Sequence, residues 1–260
     1  MRKIAIIGSG WLSIPLAKSL LQDGHHVCLT TRSVLKRQEL RAAGYRAEIY
    51  DLGTPLTLAI SQADILIIAI TSKEPALFQN LLDQILRSHI RHVIFVSSTS
   101  VYPFTGSLVD ENITTIDSAL SQIERLFQVK IGQKTTILRF AGLVGDRRHP
   151  GMFFRNKVCK TPKAHVNVIH LQDCVGIVQY ILEKEIFGEV INGCADTHPL
   201  KDEFYTHYAQ QIGLSVPEFE YTSQSPTKIV SNVKIKELGY SFRHPDVMQL
   251  PEMELQQAHE

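Results

Sequence analysis

No stretch of this 260-residue chain stays apolar for long. The longest aliphatic run, Ile65 to Ile70, has six residues, far short of the roughly 20 that a helical membrane span requires. Charge of one sign is also missing: 27 Lys and Arg against 26 Asp and Glu leave +1, which argues against a protein held to nucleic acid by bulk positive charge. Cysteine is scarce. Cys28, Cys159, Cys174 and Cys194 show no CxxC or Cys/His metal spacing, and each lies in or beside an apolar segment, so buried free thiols are expected rather than a disulfide framework or a metal site. Met1-Arg2-Lys3 precedes only four apolar residues; without the apolar core of a secretory signal, a cytoplasmic protein is expected. At 44% hydrophobic and 20% charged residues the composition is that of a globular chain able to bury a sizeable core.

Short β-branched runs alternate with longer amphipathic stretches. Strands are expected at Lys3–Ile7, His26–Thr31, Ala47–Asp51, Asp64–Ile70, His92–Val96 and Thr135–Arg139, with helices at Leu12–Gln22, near Ala76–Arg87 and near Ser118–Gln128. That alternation predicts right-handed crossovers and an α/β fold, a doubly wound parallel Rossmann sheet. Beyond Arg139 the pattern loosens, and a strand at Asn167–His170, a helix at Gln172–Lys184 and a strand at Glu189–Asn192 are expected to return to the sheet. The expected organisation is a dinucleotide-binding core over 1–140 and 166–194, a small substrate lobe over 141–165 and 195–245, and a flexible acidic tail over 246–260.

Gly8-Ser9-Gly10-Trp11-Leu12-Ser13 stands between the first strand and the first helix. In that context Gly8 permits a tight turn, Gly10 lets a pyrophosphate approach the backbone, and the helix start supplies amide donors. Ser13 occupies the third glycine's place, where smallness serves helix-to-strand packing. The second strand ends in Thr30-Thr31-Arg32-Ser33, without the acidic residue that would hold the ribose hydroxyls of NAD. Asp23 precedes the strand and is not that residue. Between 32 and 46, Arg32, Lys36, Arg37, Arg41 and Arg46 face only Glu39. Arg32 is placed to meet a 2′-phosphate, which favours NADP, with NAD as the alternative; a solvated basic helix face is the competing reading. Asp51, Ala69 and Ile70, at the ends of the next two strands, complete the expected cofactor lining.

Three further segments carry a resemblance. Val96-Ser97-Ser98-Thr99-Ser100-Val101-Tyr102, Leu138-Arg139-Phe140-Ala141-Gly142-Leu143-Val144-Gly145 and Asn167-Val168-Ile169-His170-Leu171-Gln172-Asp173 resemble, in order, motifs of the extended short-chain dehydrogenases/reductases, in the NAD(P)-dependent epimerase/dehydratase group that acts on nucleotide sugars. The resemblance implies that Ser98 orients a substrate hydroxyl, with Thr99 and Tyr102 beside it. It also implies a Tyr-x-x-x-Lys pair on the following helix, with a Glu eight residues after the Tyr. Glu124 is the counterpart of that Glu, and counting back puts Ile116 and Leu120 at the Tyr and Lys positions, where neither transfers a proton. Tyr102 is then the nearer candidate for a substitute acid. The Tyr180 to Lys184 spacing falls on a later helix with an apolar face and reads as packing plus a solvated end.

Arg147, Arg148, Arg155, Lys157, Lys160 and Lys163 run without an acid, in the region where the resemblance implies a held diphosphate. Arg147, Arg148 and Arg155 are the candidates for an anionic substrate, against a solvated loop; nucleic acid is a poorer reading for want of interleaved aromatics. His170 is read as structural, and Asp196 or Thr197 as a cap for the next helix. Thr227-Lys228-Ile229-Val230-Ser231-Asn232 and the Gly-Trp-Leu turn resemble YeeZ-type atypical members of the group. A homodimer through the helices near Ala76 and Ser118 is implied by the resemblance alone, because Leu120, Ile123 and Phe127 suit ordinary core equally well. Two functions stay open: an NADP-dependent oxidoreductase on a nucleotide sugar or similar anionic hydroxy compound, and a cofactor-binding sensor or partner-binding protein that no longer transfers hydride.

Overall fold

A computed structural model describes residues 1–221 and 226–253. The strands are β1 Lys3–Ile7, β2 His26–Thr31, β3 Arg46–Ile49, β4 Ile65–Ile68, β5 His92–Ser98, β6 Leu108–Val109, β7 Thr135–Phe140, β8 Gly142–Val144, β9 Val158–Cys159, β10 Val168–His170, β11 Val190–Gly193, β12 Glu218–Phe219 and β13 Ile229–Val230. The helices are α1 Ser13–Gln22, α2 Val34–Ala42, α3 Leu58–Ser61, α4 Pro75–Ile85, α5 Ala119–Ile131, α6 Leu171–Lys184, α7 Lys201–Gln211 and α8 Val233–Glu237. β1 to β5, β7 and β11 form one seven-stranded sheet in the order β11-β7-β5-β4-β1-β2-β3. Pairing is parallel from β3 through β2, β1 and β4 to β5. The order reverses beside β1, the point at which open parallel sheets bind ligands past the carboxyl ends of their strands.

The strands are continuous apolar runs because both faces are covered. Ala5, Ile7, Leu66, Ile68, Val93 and Phe95 form one cluster with Phe78, Leu81, Leu82 and Ile85 of α4 and Ile123, Phe127 and Ile131 of α5. Strand alternation turns Ile4, Ile6, Ile65, Ile67 and Ile94 to the other face, where they are equally buried. The stripe at Ile123 and Phe127 is therefore core, and Phe127 stacks on Phe95 at 4.9 Å between ring centroids.

Two compact units emerge. The first comprises Met1–Val101, Ile116–Arg139 and Val178–Ile191, the second Tyr102–Thr115, Phe140–Ile177 and Asn192–Glu260. Segments 102–115 and 166–177 thus belong with the second unit, whereas the sequence reading assigned them to the core. β10 does not return to the large sheet either: it pairs with β8. Gly142 allows this pairing, since a Cβ there would lie 3.1 Å from the Asn167 carbonyl oxygen.

The expectation of a loose tail fails where the structure describes it. Val247 is fully buried, and Met248, Leu250 and Met253 pack on a cluster containing Phe204 and Tyr208 of α7. Thr197 Oγ1 donates to Asp246 at 3.1 Å and accepts from the Val247 amide at 2.9 Å. Thr197 therefore fastens this segment instead of capping α7, which begins after Leu200 with no side-chain cap. The rest of the expected tail, 254–260, lies outside the described residues. All four cysteines are buried and free, and no described helix is long and apolar enough to cross a membrane.

Candidate functional site

In the first unit, the turn after β1 is shaped by a glycine that nothing else can replace. Gly8 has φ of +119°, and a Cβ there would sit 2.6 Å from the Ala69 carbonyl oxygen and 3.2 Å from the Ile70 side chain. Conformation and space both demand glycine. The same contact brings Ala69 and Ile70 against the turn, as expected of the cofactor lining. Gly10 differs: its φ is not positive, and a Cβ would meet nothing within 4 Å. The protein has no packing use for a bare backbone at Gly10, whereas a ligand approaching it would.

Behind the turn, α1 starts without a side-chain cap on its first amides and without an acid in its first turn. Its positive end is therefore left to an anion. Ser13, in the third glycine's place, is buried and its Oγ has no hydrogen-bond partner. A bare Gly10, an uncapped helix start and an orphaned buried hydroxyl fit a dinucleotide pyrophosphate; Gly8, Ser9, Gly10, Trp11 and Leu12 would hold it.

Most of the basic group from 32 to 46 is already engaged. Lys36 pairs with Glu39 at 3.1 Å, Arg46 approaches Glu48 at 3.4 Å, and Arg41 Nε donates to the Ala47 carbonyl at 3.0 Å. The solvated-face reading accounts for these three. Ser33 caps α2, accepting from the Lys36 amide at 3.2 Å. Arg32 is exposed at the carboxyl end of β2. Asp51, just past β3, is exposed, and its carbonyl accepts from Thr54.

At the end of β5, Ser98 is half-buried and its Oγ accepts from the Ser100 amide at 3.1 Å. That bond uses a lone pair and leaves the hydroxyl proton for an outside acceptor. Thr99, next to it, is buried. Ser97 points the other way: its Oγ donates to Glu124 Oε1 at 2.5 Å, while Arg139 grips the same carboxylate through Nε at 3.1 Å and an Nη at 2.6 Å. This buried knot joins β5, α5 and β7. Ile116, just before α5, is partly exposed, and its amide donates to the Val101 carbonyl at 2.8 Å. Leu120 packs against the core cluster.

The second unit holds Tyr102, and its geometry corrects the reading of Tyr102 as a substitute acid. Only 1% exposed, it donates its hydroxyl to Asn192 Oδ1 at 2.8 Å. Asn192 is fixed in turn by Glu111 and the Ser231 carbonyl, and the buried Lys228 Nζ donates to the Tyr102 carbonyl at 2.7 Å. Tyr102 is an anchor.

Arg147 and Arg148 are exposed on a tight turn closed by reciprocal Gly145 and Arg148 backbone bonds at 2.9 and 3.3 Å. Arg155 instead lines a cleft of about 300 Å³ with Lys157, Phe154 and residues 214–218. Lys163 is neutralised by Asp202 at 2.7 Å, so the basic run is less unopposed than it reads in sequence. Tyr180 and Lys184 lie on α6, with the ammonium 5.8 Å from the ring centroid and paired to Glu183. No group of three or more His, Cys, Asp or Glu among the described residues could hold a metal.

Comparison with known proteins places this arrangement. The protein YeeZ of Escherichia coli K12 is 32% identical over 272 residues, an alignment covering 96% of this chain and 99% of that protein. The chain belongs to the YeeZ family. A family profile described as shikimate / quinate 5-dehydrogenase also matches residues 1–117. Among solved structures, a conserved protein of Silicibacter pomeroyi DSS superposes with a TM-score of 0.81 at 22% identity, covering 95% of this chain and 96% of that one. The UDP-glucuronic acid 4-epimerase of Bacillus cereus, in complex with NAD, gives 0.78 at 19%, covering 94% of each chain. These two establish the fold of this YeeZ family member as that of the extended short-chain dehydrogenases/reductases.

Two features of the YeeZ family member were not foreseen. The Glu124–Arg139–Ser97 knot joins three distant segments, and only Glu124 carried a sequence signal. His170 has more environment than the structural reading gave it. It lies under Gly145, whose own Cβ would be 2.7 Å from the ring, and packs edge-on against His244 at 4.2 Å. Burial, with His244 adding to it, pushes its pKa down to about 4, against an opposing pull from Asp173. Below an unfolded value near 6.5 the unfolded chain takes up a proton that the folded chain refuses. Stability contributed by neutral His170 is therefore complete above about pH 6.5 and lost as pH falls toward 4, by up to roughly 3 kcal/mol. Urea unfolding from pH 7 to 4 on the wild type and His170→Gln checks this: the variant should show a shallower pH slope, and equal slopes would refute the assignment.

Proposed function

We propose that this chain is an NADP-binding oxidoreductase of the epimerase/dehydratase type, acting on a nucleotide sugar or a similar anionic hydroxy compound. The carrying observation is the Gly8–Gly10 turn, sterically closed at the first glycine and open at the second, beside a β2 that ends in Arg32 rather than an acid. Asp51, Ala69 and Ile70 would line the same cofactor. When bound, the nicotinamide supplies a hydride acceptor or donor. Ser98 orients the substrate hydroxyl through the proton its Ser100 contact leaves available, and buried Thr99 fixes the turn around it. In the second unit, Arg147 and Arg148 supply exposed guanidinium groups for an anionic substrate, and Arg155 contributes from its cleft. That the Bacillus cereus epimerase is also described in complex with UDP-glucuronic acid supports the substrate class. On α5, exposed Val129 beside Leu126 supports a dimer contact.

Ile116 and Leu120 favour a second reading. Standing eight and four residues before Glu124, they fill the places of the Tyr and Lys with groups that move no proton, removing assistance of roughly 10²- to 10⁴-fold per step. On that reading the protein senses the cofactor or binds a partner without turnover. Mass spectrometry of copurified nucleotide, followed by a nucleotide-sugar screen at the NADPH absorbance band, separates the two. Turnover abolished by Ser98→Ala supports the enzyme; bound NADPH with no turnover across the screen favours the sensor.

A further inference from the structure

We infer that Arg37 is a specificity-determining residue that closes a 2′-phosphate site and sets NADP above NAD; this rests on the NADP reading above. Of the basic residues between 32 and 46, Arg37 alone carries a buried guanidinium nitrogen, Nε, with no hydrogen-bond partner among the described residues. Lys36, Arg41 and Arg46 each have an acceptor already, and Glu39, the segment's one acid, is taken by Lys36.

Position supplies the second argument. The Arg37 amide donates to the Ser33 carbonyl at 3.0 Å, one helical turn from the residue that follows Arg32. Helical side chains lean toward the N-terminus, so Arg37 is carried back over the first turn of α2, toward the carboxyl end of β2. The adenosine ribose of a dinucleotide is read at that strand end. NAD and NADP differ there by one phosphate monoester, a dianion with several acceptor oxygens that suits a guanidinium fork. A donor orphaned out of water is costly in the free protein. NADP relieves that cost and NAD does not, so a half-buried Arg37 discriminates more sharply than Arg32, whose exposed charge is screened by salt.

The probes are 2′,5′-ADP and 5′-AMP, titrated calorimetrically into the full-length wild type, Arg37→Met, Arg37→Lys and Arg32→Gln, with the thermal midpoint of each ligand-free protein measured alongside. Wild type should prefer 2′,5′-ADP. Arg37→Met should weaken 2′,5′-ADP roughly tenfold to hundredfold, leave 5′-AMP unchanged and not lower the midpoint, since it removes an unsatisfied charge. Arg37→Lys should restore part of the preference, and Arg32→Gln should lose less, with the loss shrinking as salt rises. Arg37→Met retaining wild-type preference overturns the inference and leaves the NADP reading standing. Equal loss of both ligands with a lowered midpoint also overturns it, by making Arg37 structural. Wild type without a preference, or without binding, overturns the NADP reading itself and the inference with it.

Discussion

Gly8→Ala is expected to destabilise the protein by about 2–5 kcal/mol and to abolish dinucleotide binding. A φ of +119° is a region that side chains rarely adopt, costing about 1–3 kcal/mol. The new Cβ would also stand 2.6 Å from the Ala69 carbonyl oxygen. That oxygen cannot yield easily, because the Ala69 amide is bonded to the Ile7 carbonyl at 3.0 Å and β4 is locked in register beside β1; overpacking of this kind adds about 1–3 kcal/mol. Gly10→Ala is the informative partner. With open space around it and an ordinary φ, it should change stability by less than about 1 kcal/mol yet weaken nucleotide binding at least about tenfold, since its methyl group would stand where the pyrophosphate meets the backbone. Urea unfolding and nucleotide titration of both variants separate a folding glycine from a binding one. A stable Gly8→Ala, or a Gly10→Ala that binds normally, would contradict the account of the turn.

Glu124→Ala is expected to cost about 3–5 kcal/mol, the usual penalty for leaving a buried guanidinium uncompensated. Arg139 and Glu124 are 5% and 2% exposed, so water cannot take over the lost partner. Glu124 also accepts from Ser97, and Ser97 precedes Ser98, so the loss should loosen the end of β5 as well as α5. The double variant Glu124→Gln/Arg139→Met should recover most of the stability, because removing both charges also removes the desolvation cost. Chemical denaturation of the two single variants and the double variant decides it. A double variant no more stable than Glu124→Ala would show that the ion pair is not what the site depends on.

The large sheet was legible because its strands are apolar on both faces and its crossovers have helical period; β1 to β5, β7 and the helices between them fall within a few residues of expectation. Legibility ended where local pattern stops deciding. β10 is a good strand by composition, yet its partner is β8, a choice made by a long-range backbone approach at Gly142 that no periodicity encodes. The start of the expected tail reads as polar and acidic, but Val247, Met248 and Leu250 are spaced to fill a cleft on α7 that exists only after folding. The site divides the same way. The turn at Gly8 could be read from its place between strand and helix, and Arg32 from its place after β2. That Tyr102 is committed to Asn192, ninety positions away, and that Asp202 neutralises Lys163 depend on contacts distant in the chain. Arg37 was visible only as one charge among five until its neighbours were seen to be paired.

Trp11 is the chain's single tryptophan and lies in the turn that would hold the cofactor. The most direct measurement is therefore a titration with NADPH and with NADH, following energy transfer from Trp11 to the nicotinamide. Saturable transfer with NADPH bound more tightly than NADH is the result expected here. NADH binding equally well or better, or no saturable binding of either, would contradict it.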